Sequence, residues 1–444
     1  MRDAEEGPHL LRHFPTTKQT GSATAERFCL ASGVTFLSER MRGEAAYQTI
    51  PVIADATPIA AREAMARGRP VVFRNMINAW PADLASVEAL RQAPFVANQN
   101  SMVREDRLLA VRLHRRDAGT VWEGDCVHVP HVRLDQICAW IAGDTTGRQH
   151  AALAKFDRAE YVAYSDYQDM NLIFAHAQDD VLRKISWAPF GVDLDGERST
   201  MWLGTEGAHT PTHYDSYGSN LVAQLSGIKR WRLHPPSSDA PGLQPSRVPY
   251  EESSIFASEV DGGAGDVSAV SVDLQAGETL FVPKHWWHHV RTVSPYALSV
   301  NTWVDAEDDD DDRLKEAVAR TVACALLRAD EADHAHPCSD EALAEAEEND
   351  QPPPRSRPWL NPTEEVWTHT QNVGGIEGAL RAILGQRRGP RDSRAMTTAD
   401  VVNALCTGRA LEEAVAALRR RMETDRRGVA VPATKRARTE SPEK

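Results

Sequence analysis

The chain has 444 residues, of which 41% are hydrophobic and 26% are charged, and its formal net charge at pH 7 is −14. These proportions are ordinary for a globular protein with room for one large domain and a smaller one. The acidic balance disfavours nonspecific nucleic-acid binding as the main activity, and the sequence lacks the long apolar run of about 18 residues that a membrane span requires.

The N-terminal residues 1–50 show no clear periodicity and are predicted to form a poorly ordered extension. Alternating helical and extended patterns follow, with loops between them. The predicted elements of this part are a helix at 58–67, strands at 69–74 and 107–113, and helices at 134–142 and 180–185.

Residues 201–304 are the most informative region, because short strand-like runs recur there between glycine and proline turns. The runs are 201–204, 220–225, 229–234, 270–274, 279–282, 287–291 and 297–304. Regular spacing of short strands is typical of a β-sandwich or barrel. Residues 237–265 are too long for a simple hairpin connection and are predicted to be an insertion that shapes a binding mouth.

After residue 304 the pattern becomes helical, with predicted helices at 313–328, 373–384 and 398–421. The acidic run 305–312 is interpreted as solvated surface, and so is the basic tail, for which nuclear import or partner binding is the alternative. The predicted organisation is an extension at 1–50, a domain at 51–305 with its core at 200–304, a helical region at 306–425 with a proline-rich linker near 341–358, and a disordered tail at 426–444.

Six cysteines are scattered through the chain without a Cys-x-x-Cys pair. This spacing argues against a zinc ribbon and against a disulfide framework. Reduced thiols are typical of the cytoplasm and nucleus, so we expect a cytoplasmic or nuclear location.

Two histidine-containing motifs predict a metal site. His213 and Asp215 are two residues apart in a strand-like run, so both side chains point to one face of the sheet. Two histidines and one carboxylate are the ligands of many non-haem Fe(II) oxygenases. A later run supplies three further candidates, His285, His288 and His289. Strand alternation allows at most one of His288 and His289 to face His213, and His285 is closer to a turn. The alternative for the first motif is a surface or hydrogen-bonded histidine next to a helix-capping aspartate. The alternative for the second is an aromatic core plug with partly exposed histidines.

Lys229 has the strand parity of Trp231 and Leu233, which favour burial, so its side chain is predicted to face the interior. A buried ammonium group is costly unless an anion pairs with it, and a bound dicarboxylate would supply that anion. A lysine that reaches solvent at the strand end is the alternative. Thr210 can donate its hydroxyl to the same carboxylate. Asn301 is an amide in an apolar strand and needs a partner, either a cosubstrate or the backbone.

Taken together, these motifs resemble the JmjC-domain (cupin-like) oxygenases over roughly residues 55–305. The segments that carry the resemblance are 69–74, 80–81, 201–204, 210–215, 227–236, 281–290 and 300–303. It is strongest with the group that lacks histone-reader segments and includes the asparaginyl hydroxylase of hypoxia-inducible factor. Segment 247–256 resembles a member associated with a small heat-shock protein. The implied fold is mainly β with flanking helices, a double-stranded β-helix (jelly-roll, cupin) core followed by a C-terminal helical subdomain.

Carried over position by position, the resemblance implies that His213, Asp215 and His288 are the metal ligands and the catalytic centre. It selects the first histidine of the pair, His288 rather than His289. It also implies a 2-oxoglutarate pocket in which Lys229 binds the distal carboxylate. The implied pocket residues are Thr210, Asn220, Lys229, Asn301 and Tyr164, with Tyr167 as the competing choice for Tyr164.

The implied activity is that of a dioxygenase that uses Fe(II), 2-oxoglutarate and O2 and hydroxylates a protein side chain. The alternatives are a catalytically silent scaffold that binds a chaperone or another protein, a lysine demethylase of histones or other proteins, and a cupin with different chemistry. The expected partners are a protein substrate or a small heat-shock protein, without a membrane or nucleic-acid partner. The C-terminal helices are candidates for a homodimer interface.

Overall fold

The structure is a computed structural model, and it describes residues 49–93, 96, 108–144, 150–236, 243–257, 269–334, 369–383, 410 and 413. The predicted extension up to residue 48, the linker near 341–358 and the basic tail at 426–444 lie outside these residues. So does the predicted helix at 398–421, apart from two positions. The chain divides into two compact units, residues 1–367 and 368–444. Within the described part, the helices are too short or too polar to cross a membrane.

Strands dominate the first unit, and helices flank them. The strands are β1 Val52–Ala54, β2 Val71–Arg74, β3 Leu109–Arg115, β4 Val127–Val132, β5 Tyr161–Asp169, β6 Thr200–Thr205, β7 His209–Asp215, β8 Ser219–Ser226, β9 Ile228–His234, β10 Pro245–Glu251, β11 Ser254–Ala257, β12 Val270–Gln275, β13 Glu278–Val282, β14 Trp287–Thr292 and β15 Tyr296–Val304. The helices are α1 Pro58–Met65, α2 Val87–Gln92, α3 Leu134–Ala142, α4 Met170–Ile173 and α5 Asp309–His334, and α6 His369–Ile383 belongs to the second unit.

The strands form two sheets that face each other. The larger sheet has the order β1-β2-β13-β8-β15-β6-β5-β3-β4, and the smaller one has the order β10-β11-β7-β14-β9-β12. Apolar side chains from both sheets, among them Val222 and Leu280 from the larger and Trp231, Leu233 and Val290 from the smaller, pack into one buried cluster. Strands β6 to β9 alternate between the two sheets, and β12 to β15 do so again after the β10–β11 hairpin, which stays in the smaller sheet. The predicted double-stranded β-helix is therefore confirmed.

The outer face of the larger sheet is covered by the flanking helices. Strand β8 shows why, because it is apolar on both faces: Leu221 and Ala223 belong to the outer core, and Val222 belongs to the core between the sheets. Helix α1 packs on the outer core through Ala61. It starts where Thr57 caps it, because the threonine hydroxyl accepts a hydrogen bond from the Ala60 amide at 3.2 Å.

Two sequence-based predictions of local structure differ from the structure. The segment 180–185 forms only a 3-10 turn at Leu182–Lys184, because so short a segment does not gain enough hydrogen bonds to nucleate an α-helix. The helix predicted at 313–328 begins earlier, at Asp309, since the acidic residues of its first turn favour the positive end of the helix dipole.

The predicted insertion at 237–265 contains the hairpin of β10 and β11. Strand β11 pairs antiparallel with β7, and Phe256 lies opposite His213 in this register. The described part of the insertion therefore extends the smaller sheet and places its residues beside the predicted metal site.

Candidate metal centre and cosubstrate pocket

Two neighbouring strands of the smaller sheet bring three predicted ligands together. His213 and Asp215 lie on β7, and His288 on β14 is directly opposite His213 in the antiparallel register. One ligand atom of each residue lies within 4.8 Å of the others, and all three side chains are buried. Nε2 of His213 is 3.9 Å from Oδ1 of Asp215, and the two imidazole rings are 4.2 Å apart. Strand alternation and strand pairing together create the cluster.

Hydrogen bonds orient each of these side chains toward the others. Nδ1 of His213 donates to the carbonyl of Pro211, and Nδ1 of His288 donates to the carbonyl of Trp286, both at 2.8 Å. A protonated Nδ1 leaves the lone pair of Nε2 available for a metal. The indole of Trp303 donates to Oδ2 of Asp215 at 3.2 Å, which leaves Oδ1 on the side of His213. The donor set therefore fits a divalent metal held by two imidazoles and one carboxylate.

Burial sets the charge of this cluster. It lowers the pKa of His213 and of His288 to about 4, so both imidazoles are neutral at pH 7 and can act as ligands. Burial also raises the pKa of Asp215 to about 6, although His213 and Trp303 oppose that rise. At neutral pH the cluster holds one carboxylate charge, which a bound cation would compensate.

The other two histidine candidates lie elsewhere. His289 is on the opposite face of β14, where its ring stacks on His209 at a centroid distance of 6.0 Å. His285 lies in the turn before β14 with a φ of 67°, and its Nε2 donates to the carbonyl of Ser216 at 2.9 Å. The structure thus places His288 with His213, and the role of His288 as a metal ligand stays a prediction.

Lys229 faces the interior, as its strand parity predicted. Its side chain is 3% exposed, and Nζ donates to Oγ of Ser299 at 2.8 Å. Nζ also lies 5.5 Å from the ring centre of Tyr164 and 5.8 Å from that of Trp202. Burial lowers the pKa of Lys229 to about 7, although Asp166 opposes that shift. In the described part of the chain, no carboxylate lies within ion-pair distance of Nζ, so this end of the interior suits an anion.

Alternate residues of β15 carry polar groups into the same interior. Ser299 contacts the buried ammonium, and Trp303 contacts the carboxylate of the metal cluster. Between them, Nδ2 of Asn301 donates to Oδ1 of Asn220 at 2.9 Å, and its Oδ1 accepts from the indole of Trp202 at 2.7 Å. One face of β15 therefore runs from the Lys229 ammonium to the metal cluster. Asn220 and Asn301, the two amides predicted for the pocket, are hydrogen-bonded to each other.

Thr210 reaches the interior through an irregularity in β7. It is three residues from His213, which would place the two side chains on opposite faces of a regular strand. In the structure His288 pairs with His213 but Val290 pairs with Thr210, so β7 contains one extra residue and its alternation reverses. The Thr210 side chain lies next to the Tyr164 hydroxyl, and both residues are buried.

A narrow cleft opens beside Thr210, and the competing tyrosine lines it. Tyr167 has a φ of 51° at a bulge in β5 and packs on Trp202 at a centroid distance of 4.3 Å. Asp166 next to it forms a buried ion pair with Arg112 at 2.8 Å. The lining residues are Arg112, Trp122, Glu123, Asp166, Tyr167, Thr210, Pro211, Glu251 and Phe256.

Sequence reasoning missed several residues of this region. Ser299 shares the strand parity of Asn301 and could have been identified from it. Trp202, Asp166 and Arg112 carried no comparable signal, because their positions depend on strands that are distant in the sequence and on the bulge in β5.

Comparisons with known proteins agree with this geometry. The cupin-like domain family matches residues 56–310. HSPB1-associated protein 1 of Rattus norvegicus is 35% identical over 373 residues, which covers 81% of this chain and 69% of the relative. The protein of the same name from Homo sapiens is 32% identical over 337 residues, which covers 73% of this chain and 62% of the relative, less than two thirds of its length. Lysine-specific demethylase JMJ30 of Arabidopsis thaliana is 34% identical over 112 residues, covering 23% of this chain and 24% of that protein.

Proposed function

Because the chain belongs to the cupin-like, JmjC-domain family, we propose that it is an Fe(II)- and 2-oxoglutarate-dependent dioxygenase that hydroxylates a protein side chain. Members of this family are typically oxygenases with these cofactors. The observation that carries the proposal is the buried cluster of His213, Asp215 and His288, with two imidazole nitrogens and one carboxylate oxygen directed at one another. Buried Lys229 shares the same interior, and among the residues that the structure describes no carboxylate lies within ion-pair distance of its Nζ.

His213, Asp215 and His288 would hold the iron, and two imidazoles with one carboxylate are the protein donors of many non-haem Fe(II) oxygenases. Bound iron would supply the activation of dioxygen coupled to decarboxylation of 2-oxoglutarate. The residues of the protein would hold the metal and orient its ligands. Trp303 fixes one oxygen of Asp215, and the carbonyls of Pro211 and Trp286 fix the imidazole tautomers. Burial keeps bulk water away from the reacting groups.

Lys229 is the group that selects the cosubstrate. A dicarboxylate that binds the metal with one end would place its other carboxylate against Nζ, where Ser299, Thr210 and Tyr164 offer hydroxyl groups. The anion would compensate the ammonium, which burial otherwise destabilises. This pairing accounts for a buried lysine in the interior better than packing does.

The residues of the cleft support demethylation of a cationic side chain as a second candidate. Glu123, Asp166 and Glu251 contribute three carboxylates to the lining of the cleft, where Arg112 forms an ion pair with Asp166. A cationic lysine side chain would be favoured in such a cleft over a neutral one. Assays with asparagine-containing and methyllysine-containing peptides would separate hydroxylation from demethylation.

The relatives named for HSPB1 support a small heat-shock protein as the first partner to test. Stable binding of that protein without any turnover of 2-oxoglutarate would favour the scaffold alternative. A complete donor set together with Lys229 supports catalysis, because a scaffold has no need for a buried, uncompensated ammonium.

The test is an anaerobic titration of the purified chain with Fe(II) and 2-oxoglutarate. We expect the weak visible charge-transfer absorption of the iron-bound 2-oxo acid, and we expect His288→Ala to abolish it. His289→Ala is the matched control and should retain it, because His289 faces the other side of β14. A well-folded wild-type chain without this absorption would refute the oxygenase proposal, and the opposite result for the two variants would reassign the ligand.

A further inference from the structure

The acidic start of α5 contains one fully buried carboxylate. Asp309 is 0% exposed, and its Oδ2 accepts hydrogen bonds from the amides of Gly218 at 3.1 Å and Ala306 at 2.7 Å. Its Oδ1 accepts from Nζ of Lys284 at 2.9 Å. The sequence suggested only solvated surface for this acidic run, and for Asp309 that interpretation is wrong.

The groups that Asp309 contacts belong to the two turns that carry the predicted metal ligands. Gly218 is in the turn that follows β7, three residues after Asp215, and Lys284 is in the turn before β14, four residues ahead of His288. The same ammonium contacts Asp308 at 2.7 Å and Asp312 at 2.8 Å. One buried carboxylate at the start of α5 therefore links the ends of both ligand-bearing strands.

Further contacts join the same two turns. The amide of His285 donates to the carbonyl of Asp215 at 3.0 Å, and the His285 imidazole donates to the carbonyl of Ser216 at 2.9 Å. His285 has a φ of 67°, a conformation that costs a residue with a Cβ free energy and persists only where surrounding contacts hold it. Helix α5 approaches this histidine through Asp312, whose Oδ2 lies 3.8 Å from Nε2 of His285.

We propose that Asp309 and Lys284 are positioning residues for the metal centre. The pairing of β7 with β14 sets His213 opposite His288, and Asp309 with Lys284 fixes the two turns that follow Asp215 and precede His288. Metal sites require ligand positions within a few tenths of an ångström. Among the described residues, Asp309 contacts the two ligand-bearing segments just outside the strand ends, at Gly218 and Lys284. This inference rests on the proposed metal site.

Helix α5 also provides a matched comparison. Glu316, whose side chain is 1% exposed, lies further along the same helix and is equally buried. It accepts from Arg247 at 2.9 Å, from the hydroxyl of Tyr250 at 3.2 Å and from the amide of Ser253 at 3.1 Å, all in the β10–β11 hairpin. Among the described residues, Glu316 makes no direct hydrogen bond to either ligand-bearing turn. It reaches the turn after β7 only through Ser253, whose carbonyl accepts from the Ser216 amide at 2.8 Å.

The experiment measures Co(II) binding to the full chain, at a temperature well below the melting of every variant, from the visible absorption of the bound ion. We expect Asp309→Asn to weaken Co(II) binding about 10- to 100-fold, the range for residues that orient ligands, and to change the shape of the absorption spectrum. Glu316→Gln should lower the melting temperature about as much as Asp309→Asn does. Its Co(II) affinity should nevertheless stay within about twofold of wild type.

A second pair of variants covers the case in which Asp309→Asn does not fold. Lys284→Met leaves Asp309 its two amide donors and is expected to weaken Co(II) binding about tenfold. Asp308→Asn is its control, because Asp308 contacts the same ammonium but is 71% exposed; its affinity should stay within about twofold.

Unchanged Co(II) affinity and spectrum in both Asp309→Asn and Lys284→Met would overturn the inference while leaving the metal site intact. Equal weakening by Glu316→Gln would also overturn it, because the effect would then be a general loosening of α5. A wild-type chain that binds no Co(II) and gives no absorption with Fe(II) and 2-oxoglutarate would refute the proposed function itself.

Discussion

Lys229→Met tests the charge of the proposed cosubstrate pocket. Methionine keeps most of the buried aliphatic side chain but removes the ammonium, which is 3% exposed and has its pKa lowered to about 7 by burial. We expect the variant without metal or cosubstrate to be more stable than wild type at pH 7, because a destabilised buried charge has been removed.

The magnitude follows from the pKa. A shift from 10.5 to about 7, at about 1.4 kcal/mol per unit, makes the fully charged form cost about 5 kcal/mol. At pH 7 half of the buried amine is neutral, which reduces the cost at that pH to about 4 kcal/mol. The variant also loses the hydrogen bond to Ser299, which reduces its stability by about 1 kcal/mol. Its free energy of unfolding at pH 7 should therefore exceed that of wild type by about 3 kcal/mol.

The sign of the pH dependence is defined, because the folded pKa of Lys229 lies below the unfolded pKa. The destabilisation of wild type is fully present below the folded pKa and is lost as the pH rises toward the unfolded value. Between pH 7 and pH 9, the stability difference between the variant and wild type should therefore shrink by about 2 kcal/mol.

The assay is urea denaturation of the metal-free chain at pH 7, 8 and 9, with the midpoints compared at equal slope. In parallel, 2-oxoglutarate binding is measured with a redox-inert metal. Its affinity for wild type should fall as Lys229 loses its proton above pH 7, and the affinity of the variant should be weak throughout this range. A stability difference that does not depend on pH would refute the buried, uncompensated ammonium. Equal affinity of variant and wild type for 2-oxoglutarate would refute the role of Lys229 in the pocket.

Two further substitutions test the geometry. Trp303→Phe removes the donor to Oδ2 of Asp215 and should weaken Co(II) binding about tenfold, more at pH 6 than at pH 8 because a proton competes for the carboxylate; an unchanged titration curve would contradict this. Gly227→Ala should destabilise the chain more than Gly277→Ala, by about 2 kcal/mol in urea denaturation. Both glycines have positive φ, but a Cβ at Gly227 would lie 2.0 Å from the carbonyl oxygen of Tyr296, whereas the space at Gly277 is open. An equal loss of stability in the two variants would mean that the positive φ alone, and not the clash with Tyr296, determines the destabilisation.

Local patterns in the sequence predicted much of the fold. Helix α3 has the bounds that its periodicity indicated, and it ends at Gly143, whose φ of 73° suits a helix terminus. Each strand predicted between residues 201 and 304 is present. These elements depend on the spacing of apolar residues and on turn residues, which are local properties. The segment 180–185 had the composition of a helix without the length, and there the prediction was wrong.

In the candidate site, too, local sequence predicted some features, and the pairing of distant strands determined others. Strand alternation alone predicted that His213 and Asp215 share a face and that Lys229 points inward, because a side chain in a strand changes face with every residue. The choice of His288 over His289 came from the family resemblance. Why His288 lies beside His213 is visible only in the register of β7 and β14, which the packing of the two sheets determines.

Tertiary structure alone decided the remaining features. The extra residue in β7 turns Thr210 to the side of His213, against regular alternation. Asn301 has its partners on other strands. Asp309 is buried between two turns although Glu307 and Asp308, the acidic residues just before it, are exposed. A sequence pattern reports the face on which a residue lies within its own strand or helix. It does not report which distant strand or turn will meet that face, because that depends on contacts between segments far apart in the chain.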